Sequence, residues 1–247
     1  MRILLLFSFT LHLIHGFSAD APHDSVPAVK EKVSNLRLVA RLHSLGQFSY
    51  GGRIVSDNPV MDFNFTYDRR HWGLQLFKAQ DLRDSYTPIN FTLAVLNTNL
   101  HLGKRLTVTP SAGVILEQSK TIADHGSDAV LILNTAFKIS KELTLDQSML
   151  FANLVLEPGL RDWVNRLRLL YSHKHIDIIA ACWYNNQVFD SSNYVTTSAS
   201  VSYSRIKVLE HVSMNLGVTG LIVVHSSDTQ ACPAKNGVYV TMVAVFD

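Results

Sequence analysis

The chain has 247 residues and a mass of 27.6 kDa. Charged residues make up 17%, under the roughly 25% usual for soluble domains. The formal net charge of +2 excludes the strong basic field of a nucleic-acid binder and the acidic excess of a disordered chain. Two cysteines, Cys182 and Cys232, exclude a disulfide scaffold and a cysteine-only zinc site.

The first predicted element is an export signal. Arg2 is the only early charge, and Ile3 to Ile14 then runs almost wholly apolar, interrupted by Ser8, Thr10 and His12. Gly16 and Ser18 flank Phe17 as the small residues of a cleavage site after Ser18. This pattern predicts a secretory signal peptide over 1–18. The apolar run is too short to cross the roughly 30 Å of a hydrocarbon core. Loss of Arg2 leaves 21 basic groups against 20 acidic ones. Residues 19–34, rich in Ala, Pro, Asp and Lys, predict a flexible periplasmic lead-in. Residues 35–247 then form the one folded domain.

From there the hydrophobic period is two, the period of a strand, and not the 3.6 of a helix. Val60 to Tyr67 places Met61, Phe63, Phe65 and Tyr67 on one face and Asp62, Asn64 and Thr66 on the other. Residues 105–117, 194–205, 211–224 and 238–246 alternate in the same way. About twelve strands are expected, near 35–44, 59–67, 71–79, 89–98, 104–117, 128–139, 142–156, 162–171, 175–187, 193–205, 210–224 and 237–246. Their connections alternate in length. Short turns are expected at 68–70, 102–104, 140–141, 172–174 and 206–209, and longer polar loops at 45–58, 80–88, 118–127, 188–192 and 225–236. Glu157-Pro158-Gly159 stands out as a short connection where a long one is due. This is an antiparallel up-and-down meander, and an even strand count puts both termini on the short-turn side.

Alternation suits a soluble sandwich as well as a barrel in lipid. Three features favour the barrel. The strands reach the roughly 9–11 residues that cross a bilayer at a tilt, against a usual strand length of about 5–6. Charge is confined to one set of faces, through Arg37, Arg41, Asp62, Arg105, Glu117, Asp128, Lys138, Arg166, Arg168 and Asp177. Those charges would ruin the core of a sandwich but suit a wet lumen. Aromatics stand near strand ends, as interfacial girdles do: Tyr67, Trp72, Trp163, Tyr171, Tyr184, Tyr194, Tyr203, Tyr239 and Phe246. Closure also removes the unpaired edges of an open sheet.

With these features the chain resembles a Gram-negative outer-membrane β-barrel. Such barrels finish on an aromatic residue read by the barrel insertion machinery; here Phe246 is penultimate, before Asp247. The segment Phe48 to Val60 (FSYGGRIVSDNPV) is similar to the first hairpin of small TorF-type porins. The resemblance implies outer-membrane lipid around the barrel and small polar solutes within it.

The candidate chemistry lies in the lumen. Arg166 and Arg168, with Arg37, Arg41 and Arg105, form one basic set, and Asp62, Glu117, Asp128, Asp146 and Asp177 form an acidic one. Facing each other they would set up a transverse field that filters solutes by charge; paired, they would plug a narrow barrel. His211 and Ser213 share a strand face, as a base and a nucleophile would. The pair alternates with apolar Val212, Met214 and Leu216, so it points to the lumen and away from lipid, and it follows a short turn. A polar luminal contact is the favoured reading, and no catalytic residue is expected. His173 and His175 flank a turn without further ligands at useful spacing, so no metal or other cofactor is expected. The function expected is porin-like passive diffusion of small polar solutes. The alternatives are a closed barrel acting through its external loops, a lipid hydrolase and a secreted sandwich.

Overall fold

The computed structural model describes residues 34–48, 51–69, 71–84, 89–117, 128–152, 154–155, 163–187, 192–227 and 235–246. The expected signal peptide over 1–18 and the lead-in up to Val33 lie outside them. The strands are β1 (Ser34–His43), β2 (Gly46–Phe48), β3 (Arg53–Ser56), β4 (Val60–Arg69), β5 (Trp72–Asp81), β6 (Phe91–Thr98), β7 (Leu100–Leu102), β8 (Leu106–Glu117), β9 (Asp128–Lys138) and β10 (Leu143–Phe151). β11 (Trp163–His173), β12 (Ile176–Gln187), β13 (Ser192–Leu209), β14 (Val212–Ser226) and β15 (Gly237–Phe246) complete the series.

β6 and β7 are two parts of one strand. They are broken at Asn99, whose N–H donates to the His71 carbonyl and whose side-chain oxygen accepts from Thr109. Counting them once and setting β2 and β3 aside, twelve strands run in a ring. Each pairs antiparallel with its neighbours. β1 pairs β4 on one side and β15 on the other, with Leu38 opposite Phe246 and Arg41 opposite Val243. β6 pairs β8, so no edge is left open. The protein is a closed, all-β, antiparallel barrel.

The alternation sorts side chains as expected. Leu36, Leu96, Leu167, Val201, Leu216, Ile222 and Val238 point outward and stay 47–68% exposed. A soluble monomer does not carry an apolar belt of this extent. Lys78 also takes the outer face, opposite Phe63, and donates to the Asn90 side chain at 2.9 Å.

Aromatics ring both ends of the outer wall. Trp163 stacks on Phe151 and meets Tyr184 edge-on, at centroid distances of 6.2 and 5.8 Å. At the opposite end Tyr67 meets Trp72 at 5.7 Å, with the Arg69 guanidinium over both rings. Tyr194 and Tyr239 are corrections to the expected girdle. Both are buried and turn inward, as the outward parity of Val195, Val238 and Val240 on the same strands requires.

Three boundaries also differ. β10 ends at Phe151 and β11 begins at Trp163, so their connection is long and the alternation of short and long is regular throughout. The apolar Leu154 and Val155 extend the pattern past the true strand end, where Asp128 holds the Val155 N–H at 3.0 Å. β13 and β14 run to Leu209 and from Val212, which moves the turn from 206–209 to Glu210-His211. The cause is a bulge between Tyr203 and Ile206, with Arg205 at φ 61°, which breaks the alternation where the strand continues. Finally, the 45–58 loop contains the β2–β3 hairpin.

Candidate functional site

The lumen divides into two levels. At the rim of the short turns its wall is polar and partly exposed. At the rim of the long connections it is filled. Val60, Phe77, Phe91, Leu93, Val130 and Ile132 point inward from β4, β5, β6 and β9 and form a cluster at most 6% exposed, with Val55 of β3 packed on it.

The luminal charges pair between adjacent strands. On β1 and β4, Arg41 donates to Asp62 at 2.7 Å. Asp62 is itself fully buried. Its second oxygen bonds His43 Nε2 at 3.0 Å, and His43 Nδ1 meets the Thr241 hydroxyl of β15 at 2.9 Å. On β10 and β11, Arg168 forks onto Asp146, with Nε donating at 2.8 Å and Nη2 reaching the other oxygen. On β12 and β13, Arg205 donates to Asp177 at 3.0 Å, and Ser172 also bonds that carboxylate. Of the residues expected to face one another as basic and acidic ladders, Arg41 with Asp62 and Arg168 with Asp146 are cross-strand neighbours.

The other expected residues fall elsewhere. Arg37 lies on the face of Val39 and Arg41, near the short-turn end, and is exposed. Arg166 lies on the inner face opposite Trp183. Lys138 is exposed at the short-turn end of β9. Arg105 stands in the exposed turn ahead of β8, where its carbonyl accepts the Lys138 N–H at 2.8 Å. Asp128 is buried and serves the β10–β11 connection through Val155. Glu117 ends β8, opposite Phe91. His211 lies in the exposed turn after β13, while Ser213 is on β14, opposite Lys207 and Val245. Cys182 is exposed on the outer face, and Cys232 lies outside the described residues. Among the described residues, no three His, Cys, Asp or Glu gather as a metal ion would need.

The feature that sequence reasoning missed is the β2–β3 hairpin, which folds inward from the β1–β4 rim. Its tip reaches β13 and β12, three and four strands round the ring from β1. There the Gly51 carbonyl accepts from Asn185 Nδ2 at 2.9 Å and from the Tyr194 hydroxyl at 3.1 Å. The Gly52 carbonyl accepts from the Thr196 hydroxyl at 2.6 Å. Arg53 lies over the Tyr194 ring at 5.1 Å. Ile54 fills a second pocket with Leu221 and Tyr239, and its carbonyl accepts the Lys235 N–H at 3.2 Å. At its base, Ser56 donates to Asp81 at 2.8 Å. The signal was present as Gly51-Gly52 between Phe48 and Ile54, a hairpin cue inside a polar loop.

No protein-family model matches the sequence, and no curated protein shows detectable similarity to it. Solved structures do resemble the fold, and two porins are among them. The KdgM porin superposes with a TM-score of 0.55 over 85% of this chain and 98% of its own, at 9% identity. The NanC porin superposes with a TM-score of 0.54 over 86% of this chain and 100% of its own, at 8% identity. What this chain shares with the two is the fold, a closed antiparallel barrel.

Proposed function

We propose that the protein is an outer-membrane barrel through which small polar solutes diffuse passively. The observation that carries this reading is the sorting of side chains in a closed ring. The outer wall is an apolar belt between aromatic girdles, and the inner wall holds ion pairs such as Arg168–Asp146 at its partly exposed level. Only a barrel that is wet within and lipid-covered without stabilises both faces. The likeness of fold to two porins supports it. The reading includes outer-membrane lipid at the belt, insertion machinery that reads the strand ending at Phe246, a signal peptide over 1–18, and the TorF-type likeness of Phe48 to Val60. It assigns no cofactor, no nucleic acid and no catalytic role to His211 and Ser213.

The test is solute flux through purified protein refolded into liposomes. Swelling that falls with solute size is expected. Swelling no faster than in empty liposomes, with the barrel shown folded by heat-modifiable gel migration, would overturn the reading. A second reading, a closed barrel acting through its external loops, draws on the filled level of the lumen around Phe91 and Ile54. Absence of flux would favour it.

A further inference from the structure

We propose that the β2–β3 hairpin is a fixed partition that sets the size limit of the lumen, held by a cradle on the far wall. This rests on the passage reading above. A loop that swings open and shut needs few ties, each easily exchanged for water. This hairpin has ties at tip, middle and base. The three groups that hold the tip, Asn185, Tyr194 and Thr196, are all at most 1% exposed and lie on the inner wall of β12 and β13. Three buried donors converge on two consecutive carbonyls and form a dedicated seat for the tip, and each of these bonds is shielded from water by the hairpin that accepts it.

The seat is also shaped. Gly52 has φ +62°, a backbone state other residues rarely adopt, and a Cβ there would lie 2.1 Å from the Trp183 ring. The indole fills the space that a side chain would need. The middle of the hairpin is tied by Ile54 in its apolar pocket and by its bridge to Lys235. The base is tied by Ser56 to Asp81, and Lys235 pairs with Asp57 at 3.0 Å.

The position of the hairpin makes it limiting. It crosses the lumen at the level where the wall beside it is already filled by the cluster around Phe91 and Leu93. Below it, Arg41–Asp62, Arg168–Asp146 and Arg205–Asp177 each neutralise a neighbour, so they leave little transverse field. Discrimination at this lumen is thus by size before charge.

The experiment removes the seat. Asn185→Ala, Tyr194→Phe and Thr196→Val are combined and compared with the unaltered protein, for conductance in planar bilayers and for the largest sugar that swells liposomes. The expected result is a higher conductance and a shift of the limit to larger sugars. Flux in both proteins with an unchanged limit overturns the partition. Flux in neither, with both barrels folded, overturns the passage reading itself. A second variant covers failure of the first to fold. Ile54→Cys with Lys235→Cys, partners across the antiparallel bridge, in a background with Cys182 and Cys232 replaced by Ser, locks the hairpin by a disulfide. Unchanged flux is expected for a fixed partition. Flux lost on oxidation and restored by a reductant would reveal a moving gate and overturn the proposal.

Discussion

Gly52 lies against the indole of Trp183, a residue 131 positions later in the chain and four strands round the ring from β1. The contact leaves no room for a side chain, and the positive φ at Gly52 disfavours one. Gly52→Ala is therefore expected to lift the hairpin tip from the wall while leaving the twelve-strand ring intact. With Trp72 and Trp163 replaced by Phe, Trp183 is the only emitter, and its fluorescence should shift to the red as water reaches the ring. Unchanged emission would show that the wall yields to the added methyl.

Asp62 holds two partners at once from a fully buried position. Asp62→Ala strands the Arg41 guanidinium and the His43 ring. Removing one member of a buried pair costs about 3–5 kcal/mol, and a loss toward the lower figure is expected here because Arg41 is partly exposed. Urea unfolding of the barrel in lipid vesicles measures it. Asp62→Asn, which keeps an acceptor oxygen, should cost less.

Asp146 neutralises Arg168 on the luminal wall. Asp146→Asn leaves the positive charge in place and removes the negative one, so the lumen becomes more positive. Under a salt gradient across a planar bilayer, the zero-current potential should move toward that of chloride. Arg168→Gln should move it the other way.

Leu167 is 47% exposed on the outer wall, between the girdle of Trp163 and that of Tyr171. A charge at this depth meets hydrocarbon. Leu167→Arg should destabilise the barrel by roughly 2–4 kcal/mol, while the same change at exposed Lys138 in the short-turn rim should have little effect.

Cys182 shares the outer face with Ile178, Ala180 and Tyr184. In vesicles it should react with a lipid-soluble maleimide and resist a charged, membrane-impermeant thiosulfonate. Labelling by both reagents would place its face toward water.

The barrel was legible because one signal, period two, decides which face each residue takes, and twelve successive segments repeat it. Met61 and Phe63 outward, with Asp62 inward, is the arrangement observed. Closure followed from the same signal, since a belt of outward Leu and Val needs a ring. The errors arose where a local rule was broken. The bulge at Arg205 hid the end of β13, and Leu154 and Val155 lengthened β10 on paper. Tyr194 and Tyr239 were assigned by their nearness to a strand end, although parity with their neighbours turns them inward. Pairing of the luminal charges was a different problem. Alternation puts Arg168 and Asp146 on the inner face but leaves their register open, and one residue of slip would separate them. The hairpin seat depends on β12 and β13 meeting a loop more than 130 residues earlier in the chain, a relation that no local pattern contains.

The seam between first and last strands carries its own bond. His43 joins Asp62 to Thr241, and the span from His43 to Thr241 is 198 residues. Every other strand pair joins chain neighbours, so this junction is the most costly in loop entropy. On that ground it is expected to close last. Until then β1 and β15 present bare edges capable of capturing another chain, and His43 lacks its hydroxyl partner. The polar chain through His43 thus acts as a fastener. It forms only in the finished ring, and it adds stability at the step where an incomplete cylinder would otherwise reopen.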